Sequence, residues 1–258
     1  MLRIASLVPS LTETLFDFGL GSRVVARTGF CIHPSPAVKA VPKVGGTKDV
    51  NIDKLARLAP THVLVNVDEN RRETVAAIEQ HLPSAQILVT HPLTARDNAV
   101  LYRQLGQTLA CEAAARAAEA DLHAALMACQ QEHFAPLSAL VLVWQDPFFG
   151  VARDTYIASM LEQVGISTLP DCLGGPSGAA RYPIIDDLPA LAQQADLVLL
   201  TTEPYAFTIA DANAIAQLAR RPTLIIDGEM LSWYGSGAPR RLQALRQWRA
   251  SLILAPSS

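Results

Sequence analysis

The stretch EAAARAAEADLHAALMACQQEHF, residues 112–134, contains neither glycine nor proline. Its larger apolar residues, Leu122, Leu126 and Cys129, recur at helical spacing, with Ala114 and Ala118 above them on the same stripe. At about 1.5 Å per residue such a helix is roughly 35 Å long, about the length of a small domain. It reads as a rigid connector, and what flanks it decides the architecture.

The two flanks resemble each other. NIDKLARLAPTHVLVNVDEN (residues 51–70) and IIDDLPALAQQADLVLLTTEP (residues 184–204) share an acidic helix start, two leucines three apart, a short break, an apolar strand and a carboxylate just past it. With one residue of slack, Glu69 lies opposite Glu203. LVPSLTETLFDFGLGSRVV (residues 7–25) matches LVWQDPFFGVARDTYIASMLEQVGISTL (residues 142–169) in the same way: strand, loop, helix, glycine, strand. Further apolar runs, QILVT and TLIID among them, are buried-type strands separated by helical stretches, the pattern of parallel α/β sheets. The expectation is an α/β protein of two Rossmann-like lobes, residues 1–111 and 135–258, joined by a backbone helix over 112–134. The ligand cleft lies between the lobes, lined by the loops at the carboxyl ends of the strands.

Composition narrows the function. The chain has 258 residues, half of them hydrophobic, enough for a substantial core. Its 21 basic and 24 acidic residues give a net charge of −3, and no basic run is interleaved with aromatics, so nucleic acid is not an expected partner. No apolar run approaches the roughly 18 residues that span a bilayer, and a soluble protein is expected. The start fails as a signal peptide: the apolar run from Ile4 to Val8 is short, Pro9 breaks it, and Glu13 and Asp17 follow. It reads instead as a strand entering a helix capped by a Ser10–Glu13 capping box. As written the chain is cytoplasmic with reduced cysteines, and periplasmic if a leader has been removed.

Chemistry-bearing residues gather on the carboxyl-end loops. They include Phe30, Cys31 and His33; Gly46 and Thr47; Asn66, Asp68 and Glu69; Trp144, Phe148 and Phe149; Glu203 and Tyr205; and Glu229, Trp233 and Tyr234. Aromatic residues make up only 6% of the chain, yet two of the three tryptophans fall on these loops. An aromatic lining with a few polar groups suits a large, partly apolar ligand; the alternative is rings that pack the lobes together. Cys31 and His33, in RTGFCIHPSP, raise the question of half a zinc or copper site. No Cys-x-x-Cys, no His-Glu-x-x-His and no second clustered pair supports one, so no bound metal is expected. No catalytic signature stands out: no Gly-x-Ser-x-Gly, no Walker A sequence and no glycine fingerprint after a strand, GLGSRV being a helix stop. Asp68 with Glu69 is the one candidate acid–base pair.

RIASLVPSLTETLFDFGLG, TGFCIHP, KVGGTKDVNIDKLARLAPTHVLVNVDENRRE, VARDTYIASML, TTEPYAF and DGEMLSWYG together resemble the cobalamin- and iron-chelate-binding proteins of ABC importers, the helical-backbone metal receptor superfamily. The likeness runs from about Arg3 to Leu245, in order and spacing more than in any single motif. It implies two lobes rigidly joined by one helix, no catalysis, no cofactor, and a cobalamin or ferric chelate as ligand. By position it implies ligand contacts from Phe30 through His33, Gly46, Thr47, Asn66, Trp144, Phe148, Phe149, Tyr205, Trp233 and Tyr234, with His33 an axial ligand if the ligand is a corrinoid. It further implies one permease-docking glutamate per lobe, Glu69 or Glu73 in the first and Glu203 or Glu229 in the second. The alternative function is a cytosolic metal-chelate carrier, sensor or enzyme with no transport role.

Overall fold

A computed structural model of the chain describes residues 1–175 and 178–252. It divides into two units: Met1–Pro92, Arg96–Asp121 and Tyr234–Gly237 form the first; Leu93–Ala95, Leu122–Trp233 and the chain from Ala238 onward form the second. The first contains β1 (Ile4–Ser6), α1 (Pro9–Asp17), β2 (Val24–Arg27), α2 (Ile52–Arg57), β3 (His62–Asn66), α3 (Arg72–His81), β4 (Gln86–Thr90) and α4 (Asn98–Leu109). The long helix α5 (Glu112–Gln131) supplies residues to both. The second holds β5 (Leu137–Leu142), α6 (Tyr156–Glu162), β6 (Ile166–Leu169), α7 (Leu188–Ala192), β7 (Leu197–Thr201), α8 (Ile209–Ala219), β8 (Thr223–Ile226), α9 (Gly228–Ser232) and α10 (Ala238–Ser251).

Each unit has one four-stranded sheet, every pair parallel, with strand orders β2-β1-β3-β4 and β6-β5-β7-β8. The two orders are the same, as the repeated pattern across the chain implied. The order reverses beside β1 and β3 in the first sheet and beside β5 and β7 in the second. That is where a parallel sheet leaves a crevice outside its carboxyl ends. β7 is buried at all five positions, and Val63, Leu64 and Val65 of β3 are fully buried, because helices cover both faces. Ala5, Leu7, Val63 and Val65 pack with Leu55 and Ile78 in the first core; Leu140, Leu142, Val198 and Leu200 pack with Leu188, Phe207 and Ile215 in the second.

Two helix ends differ from expectation. The first helix begins at Pro9, with Val8 as its N-cap and no side-chain cap. Proline has its φ preset for the first helical turn and no N–H to leave unpaired. The helix therefore starts two residues early, Ser10 falls inside it, and the Ser10–Glu13 capping box does not form. Its other end behaves as read: Gly19 has φ +76°, and Leu20 N–H donates to Leu15 O at 2.8 Å. The connecting helix stops at Gln131, three residues short of Phe134. Two arginines of α10 hold the chain beyond it: Arg246 reaches Glu132 at 2.7 Å, while Arg249 donates to Ala135 O at 2.7 Å and lies 5.1 Å from the Phe134 ring.

A further departure from the expected 135–258 boundary is the tetrapeptide Tyr234–Gly237, which belongs to the first unit. Gly235 N–H donates to Asn98 Oδ1 at 2.6 Å, Gly235 O accepts from the Tyr102 hydroxyl at 2.7 Å, and Ser236 bonds Thr14 and Asp17. A side chain at Gly235, which has φ +89°, would collide with Thr14 Oγ1.

Candidate functional site

In the first unit one asparagine ties the loops at the sheet's reversal point. Asn70 accepts from Asn66 N–H at 2.9 Å and donates to Thr47 O at 2.9 Å and Leu7 O at 3.3 Å, joining the ends of β1 and β3 to the Gly46–Thr47 loop. Asn66, itself buried, uses its side-chain oxygen to accept from Asp68 and Glu69 N–H. Arg27 fixes the adjoining loop: buried at 3% exposure, it donates to the carbonyls of Val38, Thr28 and Cys31. On this braced backbone Phe30 is 64% and Ile32 51% exposed. A Cβ added at Gly46 would touch the Phe30 ring at 3.5 Å, so the ring lies over that glycine.

Four residues expected to contact ligand are turned inward. Cys31 is fully buried, 3.2 Å from Thr28 Oγ1, and burial pushes its thiol above the usual range, the opposite of what metal ligation requires. Among the described residues no group of three or more His, Cys, Asp or Glu could hold a metal ion. Asn66 is occupied with the loop bonds just given. Trp233 is 6% exposed, donates Nε1–H to Glu203 and carries Arg241 at 5.4 Å over its ring. Tyr234 is 4% exposed, and its hydroxyl donates to Glu69 at 3.3 Å; burial and the Glu69 charge hold its phenol well above its ordinary pKa. His33 is half-buried.

In the second unit a tight hairpin follows β5. Phe149 N–H donates to Trp144 O at 3.1 Å, Val143 N–H to Phe149 O at 2.9 Å, and Asp146 takes φ +59° at the turn. Phe149 also pairs with Ile184, adding a third short segment. Trp144 remains 41% exposed, edge-on to Tyr205 at 5.6 Å, which meets Phe207 edge-on at 4.7 Å; the Tyr205 hydroxyl accepts from Gln145. Phe148 and Tyr205 reach down to the core, so the exposed ring stands on a packed aromatic stack.

The four glutamates expected at a permease interface also separate. Glu203 is half-buried and accepts from Ser232 Oγ at 3.0 Å and from Trp233. Burial raises its pKa, those two hydrogen bonds lower it, and the nearby Glu229 and Asp227 charges raise it again. Glu69 is half-buried and takes the Tyr234 hydroxyl, whereas Glu73 is exposed in the first turn of α3 and Glu229 is half-buried in the first turn of α9.

Sequence reasoning missed three residues. His91, at the carboxyl end of β4, lies 3.3 Å from Asp68 and lines a cavity of about 250 Å³ with Thr90, Asp97 and Gln104. Following every strand to its carboxyl end, β4 included, finds it. Ile184 (51% exposed), ahead of α7, and Ile209 (75% exposed), the first residue of α8, carry no such signal.

A family model described as periplasmic binding protein matches residues 4–225. The chain belongs to the periplasmic binding protein family. The family consists of substrate-binding proteins rather than enzymes. This periplasmic binding protein is 22% identical, over 99% of its length and 91% of the relative's, to the vitamin B12-binding protein of Pectobacterium atrosepticum. It shares its fold with the periplasmic vitamin B12 binding protein of Vibrio cholerae, with a TM-score of 0.76 at 16% identity over 96% of each chain. A periplasmic heme binding protein from Pseudomonas aeruginosa gives 0.79 at 20% identity, over 98% of this chain and 95% of that one. Among the described residues of this periplasmic binding protein, no helix is long and apolar enough to cross a membrane.

Proposed function

We propose that the protein binds a cobalamin-like corrinoid or another metal chelate and hands it to an ABC-type permease. The observation that carries this reading is the pair of exposed rings, Phe30 and Trp144, each held on a hydrogen-bonded loop at the carboxyl end of its own sheet. Flat apolar rings on prepaid scaffolds bind a macrocycle at small entropic cost. Family membership and the named ligands of the relatives support the same class. The chelate is cargo, not a cofactor, and the periplasm is the compartment that fits the family. Gly46, Thr47, Phe148, Phe149, Tyr205 and His33 are the proposed supporting contacts, while the inward-turned Cys31, Asn66, Trp233 and Tyr234 serve as scaffold within their own units. Glu73, exposed in the first turn of α3, is the proposed docking carboxylate of the first unit, and Glu203 or Glu229 that of the second.

Calorimetric titration with cyanocobalamin, dicyanocobinamide, haemin and ferrioxamine tests the proposal. Binding of at least one is expected, and Phe30→Ala or Trp144→Ala should weaken it by about 1–3 kcal/mol each with little change in melting temperature. Absence of binding across the whole set refutes it.

A further inference from the structure

The Trp144 ring is presented by more than packing. Gln145, its neighbour on the hairpin after β5, is half-buried rather than spread into solvent. Its amide nitrogen donates to the Tyr205 hydroxyl, 60 positions along the chain. The same amide reaches the Asp211 carboxylate in the first turn of α8, which the Thr208 hydrogen bonds foremost, and the Gln145 bond in addition, hold below the usual carboxylate range. A carboxylate only accepts, so the NH2 end of the amide faces both Asp211 and the Tyr205 oxygen, and the orientation of Gln145 is fixed. Asp211 is a firm anchor: it accepts from the N–H and the hydroxyl of Thr208, each at 2.7 Å, and its own N–H donates to Thr208 Oγ1 at 3.3 Å, closing a capping box.

Tyr205 is thereby held at both ends. Its ring meets Phe207 edge-on at 4.7 Å and packs on the second core, and its hydroxyl is tied to the Gln145 amide. Trp144, 41% exposed, leans edge-on against that ring at 5.6 Å. A partly exposed indole resting on a mobile neighbour samples several rotamers and loses them when a ligand covers it, which weakens binding. Fixing the neighbour in advance removes that loss. We infer that Gln145 is a positioning residue: bonded between α8 and the Tyr205 hydroxyl, it holds the platform that keeps the Trp144 ring in its binding orientation. The inference rests on the chelate-binding role proposed above, and it asks for no contact between Gln145 and the ligand.

Fluorine NMR of protein labelled with fluorotryptophan tests the positioning with no ligand present. The chain has three tryptophans, and Trp144→Phe identifies the Trp144 signal. Gln145→Met keeps the length of the side chain and removes the donor; Tyr205→Phe keeps the ring and removes the acceptor. Each should speed the local motion of Trp144, read as slower transverse relaxation, while the Trp233 and Trp248 signals stay as they were. The double variant should go no further than either single one, because both break the same bond. Affinity for cyanocobalamin, dicyanocobinamide or haemin should fall about three- to tenfold in Gln145→Met, and the same substitution should change nothing in a Trp144→Ala protein. Unchanged Trp144 relaxation in both single variants shows that Phe207 and the core hold Tyr205 by themselves and overturns the inference. An equal change in all three tryptophans, an unchanged affinity, or an affinity loss that persists without the Trp144 ring overturns it too. If none of the three chelates binds, the proposed binding role falls, while the fluorine measurements still decide what holds the ring.

Discussion

Replacing Trp233 with alanine should unfold the second unit more readily rather than merely weaken ligand binding. The ring is 6% exposed, faces the Arg241 guanidinium at 5.4 Å and gives its N–H to Glu203. Truncating a buried tryptophan costs about 3–5 kcal/mol through lost transfer energy and the cavity left behind. For a chain of this size each kcal/mol moves the melting temperature by roughly 2–4 °C, so a fall on the order of 10 °C is expected. Trp233→Phe keeps most of the ring and removes the donor to a half-buried carboxylate, and should cost about 1.5–3 kcal/mol. Circular dichroism melts of both variants, together with the Glu203→Gln protein and the Trp233→Phe/Glu203→Gln pair, close a double-mutant cycle whose coupling should exceed about 0.5 kcal/mol. A Trp233→Ala melt within about 2 °C of the unaltered protein, or zero coupling in the cycle, refutes the buried-latch reasoning.

Asn70→Ala removes three hydrogen bonds at the reversal point of the first sheet and should cost about 2–4 kcal/mol in chemical denaturation; a loss under about 0.5 kcal/mol shows that water replaces them. Glu203 has a folded pKa raised above its unfolded value, so its protonated form contributes stability present below the unfolded pKa and lost as pH rises through the folded one. Melting of Glu203→Gln relative to the unaltered protein should accordingly improve from pH 4 to pH 7, and a flat difference contradicts it. Cys31, buried with a raised pKa, should resist iodoacetamide at pH 8 until denaturant is added, as peptide mass spectrometry reads directly. Reversing Glu73 and Glu229 to lysine should leave chelate affinity intact and abolish association with a reconstituted cognate permease; retained association rules those carboxylates out.

The sheets and the long helix were legible because their signals are local. An unbroken apolar run as short as DLVLL is too brief for a buried helix and reads as a strand covered on both faces, and a long glycine-free, alanine-rich stretch with apolar residues at helical spacing reads as a helix. What was hidden depends on distant partners. Trp233 and Tyr234 follow a strand end, as the truly exposed Trp144 does, and nothing in the local sequence distinguishes them. Their burial comes from Glu203, Arg241 and Glu69, the last of these 165 positions away from Tyr234. The end of α5 was likewise decided by Arg246 and Arg249, and the start of α1 by Pro9 overriding an apparent cap. The spacing of Cys31 and His33 could not reveal that Arg27 pulls the intervening carbonyl down and seals the thiol below it.

The four residues Tyr234–Gly237 give the first unit a late-arriving part. A ribosome has made its four strands by residue 90, yet Asn98, Tyr102 and Thr14 acquire their partners at Gly235 and Ser236 only after nearly the whole chain has emerged. Until then the bonds to Gly235 and Ser236 are missing from the nascent first unit. A fragment ending at residue 121 is therefore an unfinished object rather than a separable module, and cutting the chain near residue 233 would strand both pieces. Adding the peptide back in trans should restore what such a cut removes.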